Sequence, residues 1–114
     1  MFIYSELNMD ETTIKSISEL FKTLGDPTRL RILFTLLQRG EQNVGEIAGQ
    51  VDMSESAVSH QLRVLRLQRL VHAHKSGRTV TYCLDDDHVK SLLRQAFDHY
   101  QEHRALPRGY PHRT

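Results

Sequence analysis

The amino-acid sequence predicts a mainly α-helical domain with one small β-hairpin in its second half. Leu, Ile and Val recur at helical spacing between Ile14 and Phe97, which indicates a series of amphipathic helices. Residues 70–84 break this pattern with two β-branched runs on either side of Ser76-Gly77-Arg78, which is typical of a hairpin. A length of 114 residues with 39% hydrophobic residues fits one domain with a thin core, and a thin core favours dimerisation.

The first two helices are indicated by their capping residues. Thr12 or Thr13 can cap the first helix. Asp26 and Pro27 can begin the second, because aspartate is a good N-cap and proline is tolerated at the first helical position. The second helix is apolar nearly all round, so it should form the centre of the core. Its apolar residues are Leu30, Ile32, Leu33, Phe34, Leu36 and Leu37.

A short third helix and a longer fourth helix follow, with a tight turn at Asp52-Met53 between them. Asn43 and Glu46 have the spacing of a capping box at the start of the third helix, and Ser54 can cap the fourth. The residues of the fourth helix that should point inward are Ala57, Val58, Leu62, Leu65 and Leu67. Those that should point outward are Ser56, Ser59, His60 and Arg63.

The last helix is predicted over residues 86–103 and begins with acidic residues, which suit a helix N-terminus. The residues of its apolar face are Val89, Leu92, Leu93, Ala96, Phe97 and Tyr100. These boundaries predict a flexible arm at residues 1–11, one domain at residues 12–103 and a flexible tail at residues 104–114.

The order of the elements, with a serine-rich basic helix followed by a hairpin, is that of a winged helix-turn-helix domain. Residues 54–80 hold five Lys or Arg and one Glu, a net charge of +4, whereas residues 1–53 have a net charge of −3. Such a local excess of positive charge fits a surface that binds a polyanion, although alone it also fits a solvated helix face.

Double-stranded DNA is the polyanion that this arrangement favours. An α-helix fits the major groove, and short serine side chains near its N-terminus allow close approach to bases and phosphates. An arginine can reach a guanine edge or a phosphate, and basic residues at a hairpin tip can contact the flanking backbone. We therefore predict DNA contacts from Ser54, Ser56, Ser59, His60, Arg63, Lys75 and Arg78.

The composition argues against other classes of protein. No run of 18 apolar residues is present, and the N-terminus lacks the pattern of a signal peptide, so no membrane association is expected. Cys83 is the single cysteine, which excludes an internal disulfide and makes a reducing, cytoplasmic setting the default. The sequence contains no Gly-rich loop and no nucleophile elbow, so we expect no enzymatic activity.

The last helix carries residues of types that bind metal ions. His88 and His99 lie eleven residues apart, which places them about 20° apart around the helix axis and about 16 Å apart along it. Asp86 precedes His88, and Glu102 lies one turn beyond His99. Because ligand atoms around zinc are only about 3–4 Å apart, these four residues cannot form one site within one helix.

Two antiparallel copies of the helix could form two equivalent sites. Each site would take Asp86 and His88 from one subunit and His99 and Glu102 from its partner. Two imidazoles and two carboxylates suit Zn²⁺ or Co²⁺ in tetrahedral geometry. The alternative is that Asp86 only caps the helix and that the other three residues form a polar stripe.

The sequence resembles the ArsR/SmtB family of bacterial metal-responsive repressors over roughly residues 13–103. The resemblance rests on the segments LFKTLGDPTRLRILFTLL, NVGEIA, SESAVSHQLRVLRLQRLV and SGRTVTYCLDDDHV. It implies that residues 54–68 are the recognition helix and residues 70–84 the wing. It also implies a homodimer, formed through the first and last helices, that binds operator DNA and releases it when a metal ion binds.

The resemblance also bears on the metal. The zinc sensors of the SmtB-like branch have the pattern Asp-x-His, ten residues, His, two residues, Glu on the C-terminal helix. This pattern maps onto Asp86, His88, His99 and Glu102, and therefore implies Zn²⁺ as the effector. The family's thiol sensors carry cysteines near the start of the third helix, where this chain has Asn43, so arsenite, cadmium and lead lack their preferred ligands.

Two alternatives stay open at this point. His103 lies four residues after His99, so it could replace Glu102 or join it, and with His112 it would allow a six-coordinate Ni²⁺ or Co²⁺ site. The chain could also be a winged-helix DNA-binding regulator without a metal switch.

Overall fold

The computed structural model describes residues 9–105, and their fold is mainly helical with a small three-stranded antiparallel sheet. The predicted fold class is confirmed. In chain order the elements are α1 (Glu11–Leu24), α2 (Pro27–Arg39), β1 (Gln42–Asn43), α3 (Val44–Val51), α4 (Glu55–Leu67), β2 (Val71–Ser76), β3 (Thr79–Leu84) and α5 (Asp87–Ala105).

Side-chain caps define where the helices begin. The Asp26 carboxylate accepts a hydrogen bond from the Arg29 backbone N–H at 2.9 Å, with Pro27 at the first helical position, as predicted. Asn43 and Glu46 form the predicted capping box, in which each side chain accepts a hydrogen bond from the other residue's backbone N–H.

The prediction for the start of α1 was wrong by a few residues. Asp10, and not Thr12 or Thr13, is the N-cap, because its carboxylate accepts a hydrogen bond from the Thr13 backbone N–H at 2.8 Å. This hydrogen bond also holds the pKa of Asp10 below its usual value. Glu11, assigned above to the arm, is therefore helical.

The last helix also differs from its prediction at both ends. It begins at Asp87 and continues to Ala105, beyond the expected end at residue 103. Arg104 and Ala105, assigned above to the tail, are therefore helical. The remainder of the predicted arm and tail, residues 1–8 and 106–114 with His112, lies outside the described residues.

The core is organised around α2, as predicted. Ile32 and Leu33 have no exposed surface, and Leu36 is nearly as buried. The buried apolar side chains that pack with them come from α3, α4, the sheet and α5: Ile47, Ala48, Val58, Leu62, Leu65, Leu70, Val71, Leu84, Val89 and Leu93. The prediction that Leu67 points inward was wrong, because this side chain lies on the outer face of α4 and is 78% exposed.

The hairpin is confirmed, and the sheet contains one strand that was not predicted. In the hairpin β2 pairs with β3 from Val71 opposite Leu84 to Ser76 opposite Thr79, and Gly77 takes a positive φ of 63° in the turn. On the other side of β3, Gln42 pairs with Tyr82 and belongs to β1. Two residues are too short to show an alternating pattern, so the sequence carried no signal for this strand.

Gln42 is a buried polar residue that attaches β1 to α2. Its side-chain amide donates hydrogen bonds to the carbonyl oxygens of Thr35 at 2.9 Å and Gly40 at 3.3 Å. Nearby, the Thr35 hydroxyl is buried and has no hydrogen-bond partner among residues 9–105. The two residues therefore differ in what a substitution would remove.

We expect Gln42→Ala to lower the free energy of unfolding by about 1–3 kcal/mol, because one buried and one partly buried hydrogen bond are lost. Thr35→Val, the matched control, should leave it unchanged or raise it, because the hydroxyl that it removes contributes no hydrogen bond. Urea unfolding at one fixed protein concentration measures both changes. A loss in Thr35→Val as large as that in Gln42→Ala would contradict this interpretation.

Candidate DNA interface and metal-binding helix

Helix α4 presents a polar outer face, as the sequence predicted. The side chains of Ser56, Ser59, His60 and Arg63 are exposed on this face. Ser54 lies at its N-terminal end, where its hydroxyl oxygen accepts a hydrogen bond from the Ala57 backbone N–H at 3.1 Å and caps the helix. A polar face beside the positive end of a helix dipole is suited to contact bases and phosphates.

The hairpin carries the two basic residues that were predicted at its tip. Lys75 lies near the end of β2, opposite Val80, and Arg78 lies in the turn that leads into β3. Both side chains are exposed. The hairpin therefore presents two positively charged side chains to solvent.

Two residues that the sequence prediction missed lie beside the outer face of α4. A hollow of about 410 Å³ lies between α4 and β3, and Arg66 and Tyr82 line it. Its other lining residues are Ser56, Ser59, His60 and Arg63. Arg66 could have been found, because it lies three residues after Arg63 on the same helix. Tyr82 could not, because only the packing of β3 against α4 places it there.

Helix α2 also contacts α4 through a polar pair that was missed. The Arg29 Nε–H donates a hydrogen bond to the Gln61 side-chain oxygen at 3.0 Å, and both residues are partly buried. These residues are 32 positions apart in sequence, so spacing rules for a single helix could not identify the pair. The contact joins the middle of α4 to the first turn of α2, the central helix of the core.

Two of the predicted metal ligands lie at the start of α5. His88 Nδ1 and Asp86 Oδ2 are 3.7 Å apart, and the His88 side chain is 98% exposed. The other Asp86 oxygen, Oδ1, accepts a hydrogen bond from the Val89 backbone N–H at 3.0 Å. This hydrogen bond, with a smaller contribution from His88, lowers the pKa of Asp86. The carboxylate is therefore fixed by one oxygen while the other lies next to His88.

The other predicted ligands lie towards the far end of α5. His99 and Glu102 are exposed, and the His99 ring meets the Tyr100 ring edge-on with centroids 5.2 Å apart. The helix is continuous, so its rise keeps His99 about 16 Å from His88 along the axis. Among the described residues of this one chain, no three His, Cys, Asp or Glu side chains come together. The side chain of His103 lies outside the described part.

Apolar side chains on α1 and α5 remain exposed in the single chain. They are Ile14, Ile17 and Phe21 on α1 and Leu92, Phe97 and Tyr100 on α5. A groove of about 420 Å³ lies between these helices and α2, and its lining is almost entirely apolar. Exposed apolar surface of this extent is characteristic of a protein interface. Within residues 9–105, no helix has the length and apolar character needed to cross a membrane.

Comparison with known proteins identifies the family. A protein-family model described as "Bacterial regulatory protein, arsR family" matches residues 26–73 of the sequence. A SmtB-homologue transcriptional repressor from Synechocystis sp. is 49% identical over 77% of this chain and 66% of its own length. The transcriptional regulator NmtR from Mycobacterium tuberculosis is 38% identical over 90% of this chain and 86% of its own length. The chain belongs to the ArsR family.

A solved structure agrees with this assignment. The homodimeric winged helix-turn-helix DNA-binding domain of Mb0332 from Mycobacterium bovis aligns with a TM-score of 0.78 and 25% identity, over 93% of this chain and 98% of that one. The predicted family and the winged helix-turn-helix fold are thus confirmed, as is transcription regulation as the class of function. The family consists of DNA-binding regulators and not of enzymes. The individual DNA-contact and metal-ligand residues stay predictions.

The hydrogen bond between Arg29 and Gln61 gives a testable coupling in this ArsR-family protein. We expect Arg29→Ala and Gln61→Ala to be non-additive in unfolding free energy by about 1 kcal/mol, because either substitution alone removes the shared hydrogen bond. Urea unfolding of both single variants and the double variant, at one protein concentration, measures the coupling. Arg31→Ala, an exposed arginine on the same helix, is the matched control and should be additive with Gln61→Ala. Equal coupling for both arginines would contradict a specific Arg29–Gln61 contact.

Proposed function

We propose that this chain is a zinc-responsive repressor whose homodimer binds operator DNA without metal and releases it when Zn²⁺ binds. The observation that carries the proposal is the arrangement of α5. One exposed side of this helix has Asp86 and His88 at its start and His99 and Glu102 towards its end, next to apolar residues that remain exposed in the single chain.

The residues present fit a divalent metal ion. Imidazole nitrogen and carboxylate oxygen are good ligands for Zn²⁺, and four such groups complete a tetrahedral site. Asp86 is prepared for this role, because its hydrogen bond from Val89 holds the carboxylate in place and leaves Oδ2 towards His88. An aspartate carboxylate is ionised at neutral pH, which is the form that binds a metal ion.

Two subunits are required to assemble such a site. A pair of α5 helices packed antiparallel, crossing near Leu93, would place Asp86 and His88 of one subunit beside His99 and Glu102 of the other. The exposed apolar residues of α1 and α5 support dimerisation at this position, since a second copy would remove them from water. The related Mb0332 domain is homodimeric, which supports the same assembly for this chain.

A chain of hydrogen bonds supports coupling between the metal-binding helix and the DNA-binding helix. The buried residue Leu70 follows α4, and its N–H donates to the Leu65 carbonyl of that helix at 2.9 Å. The Leu70 carbonyl accepts from the Asp85 N–H at 3.0 Å, directly before Asp86. A shift of the start of α5 is therefore transmitted to the end of α4 through main-chain contacts.

The effector acts by changing the geometry of the dimer. Two recognition helices can enter successive major grooves only if they lie about 34 Å apart in a suitable orientation. Cross-linking both ends of the paired α5 helices favours a dimer geometry that no longer meets this condition. As the bacterial chromosome lies in the cytoplasm, we place the protein there.

Nickel or cobalt is the second candidate effector. His103 follows Glu102 in the sequence and could extend the ligand set beyond four. The chain offers a direct comparison, because His103→Ala should matter little to a four-ligand zinc site and strongly to an expanded site.

The DNA contacts are tested with duplexes of defined sequence. A high-affinity duplex is first selected from a random library with the metal-free protein, and a shuffled duplex of equal composition is the reference. We expect Arg63→Ala and Ser59→Ala to lower affinity for the selected duplex more than for the shuffled one, because both residues lie on the outer face of α4. Arg78→Ala should weaken binding to both and lower the slope of log K against log salt by about one. Unchanged affinity in all three variants would show that the DNA interface is elsewhere.

The metal switch is tested by complementation between subunits. His88→Ala and His99→Ala should each bind the selected duplex like the parent but keep it when Zn²⁺ is added. A mixed dimer of one His88→Ala subunit and one His99→Ala subunit regains one complete site, because the intact His99 of the first meets the intact His88 of the second. Fluorescence anisotropy of the duplex during zinc titration, and bound zinc per dimer, measure this rescue.

The outcomes separate the alternatives. Zinc binding by the mixed dimer, with none in either parental variant, supports the intersubunit site, whereas the absence of rescue contradicts it. An unchanged zinc response in both single variants would leave a DNA-binding regulator without this switch. His72→Ala, His74→Ala and Cys83→Ser are controls that should respond like the parent, since these residues lie on the hairpin and are not part of the proposed ligand set.

A further inference from the structure

The hollow between α4 and β3 has the chemistry of an anion site. All six residues that line it carry an N–H or O–H donor, and no carboxylate is among them. They are Ser56, Ser59, His60, Arg63, Arg66 and Tyr82. Clusters of donors without a nearby carboxylate attract anions, and two guanidinium groups supply positive charge.

Arg66 is available for a ligand. It lies one turn after Arg63 on α4, so both guanidinium groups reach the same wall of the hollow. Its side chain is exposed, and it forms no hydrogen bond or ion pair within residues 9–105. Helix α4 therefore presents two arginines, Arg63 and Arg66, whose guanidinium N–H groups are available to a ligand in the hollow.

Tyr82 contributes a side chain of fixed position to the lining of the hollow. It lies in the central strand β3, where Gln42 and Ala73 are its neighbours on the two sides. The side chain is half-buried and packs against the hydrophobic core, so the position of the ring is fixed. Its hydroxyl is the only polar group of the side chain and can donate one hydrogen bond.

We propose that this hollow binds one phosphate of the DNA backbone, with Arg66 and Tyr82 as direct phosphate ligands. The proposal rests on the proposed function, since it needs duplex DNA on the outer face of α4. A DNA strand that passes between α4 and the hairpin would bring one of its phosphates to the hollow. Arginine binds phosphate oxygens through two parallel N–H donors, and the tyrosine O–H adds a neutral third.

This role differs from that predicted for Ser59 and Arg63, and it matches the phosphate contact predicted for Arg78. Phosphate contacts position a protein on the duplex but carry no sequence information. Arg66 and Tyr82 should therefore contribute equally to binding of the selected duplex and of the shuffled duplex. Only Arg66 carries charge, so only Arg66 should affect the dependence of affinity on salt.

The test uses the metal-free full-length protein with both duplexes, and with versions of the selected duplex that carry a single neutral methylphosphonate at successive positions. Fluorescence anisotropy gives affinities between 50 and 300 mM KCl. The variants are Arg66→Ala, Arg66→Gln and Tyr82→Phe. Arg39→Ala is the matched control, because Arg39 lines a different hollow that also contains Glu41 and Glu46. Thermal unfolding confirms that each variant is folded.

We expect both Arg66 variants to bind either duplex about tenfold more weakly, with the salt slope lowered by about one. Tyr82→Phe should weaken both duplexes by a smaller factor, with an unchanged slope. One methylphosphonate position should reduce affinity in the parent and in Arg39→Ala but not in Arg66→Ala.

Three results would overturn the proposal. The first is affinity of the Arg66 variants equal to that of Arg39→Ala, and the second is a loss confined to the selected duplex, which would indicate a base contact. The third is a methylphosphonate effect that persists at every position in Arg66→Ala. Failure of the proposed function is distinguishable, because the parent protein itself would then bind neither duplex.

Discussion

The burial of α2 is the constraint on which the rest of the structure depends. Ile32 and Leu33 are completely buried, and the helices and the sheet that pack on α2 carry all the functional surfaces. The same helix holds α4 through Arg29 and Gln61, and holds β1 through the Gln42 amide. Since β1 pairs with β3, the central helix fixes both walls of the hollow that we propose to face DNA. A single apolar helix thereby sets the geometry of a polar interface.

The elements that could be predicted from sequence are those with local signals. Asp26 with Pro27, the Asn43 and Glu46 capping box, and the glycine turn of the hairpin each act over three or four residues, and each lies where it was predicted. The outer face of α4 follows equally from helical spacing. The prediction for Leu67 was wrong because this residue was placed inward by its apolar type. Its position on the helix lies opposite the buried Val58, so helical spacing places it outward.

The features that could not be predicted depend on tertiary packing. Strand β1 is two residues long and exists only because β3 offers it a partner. Tyr82 reaches the hollow, and Arg29 reaches Gln61, only when separate elements are packed together. The spacing of Asp86, His88, His99 and Glu102 correctly implied that one chain cannot assemble these four side chains. Its own helix keeps the two pairs apart, so the proposed ligand set would need a second subunit.

The proposed two-site dimer also bears on how much each metal ion would have to contribute. Moving an equilibrium from 99:1 in favour of the DNA-binding geometry to 1:99 needs a difference of about 5.5 kcal/mol in metal affinity between the two geometries. Two equivalent sites divide this between them, so each needs a difference of about 2.7 kcal/mol, or roughly a hundredfold. That lies in the range of ordinary allosteric coupling. Because the coupling is reciprocal, bound DNA must weaken zinc binding by the same factor at each site. A switch built from two exposed, modest sites can therefore be complete, although neither site alone would release the operator fully.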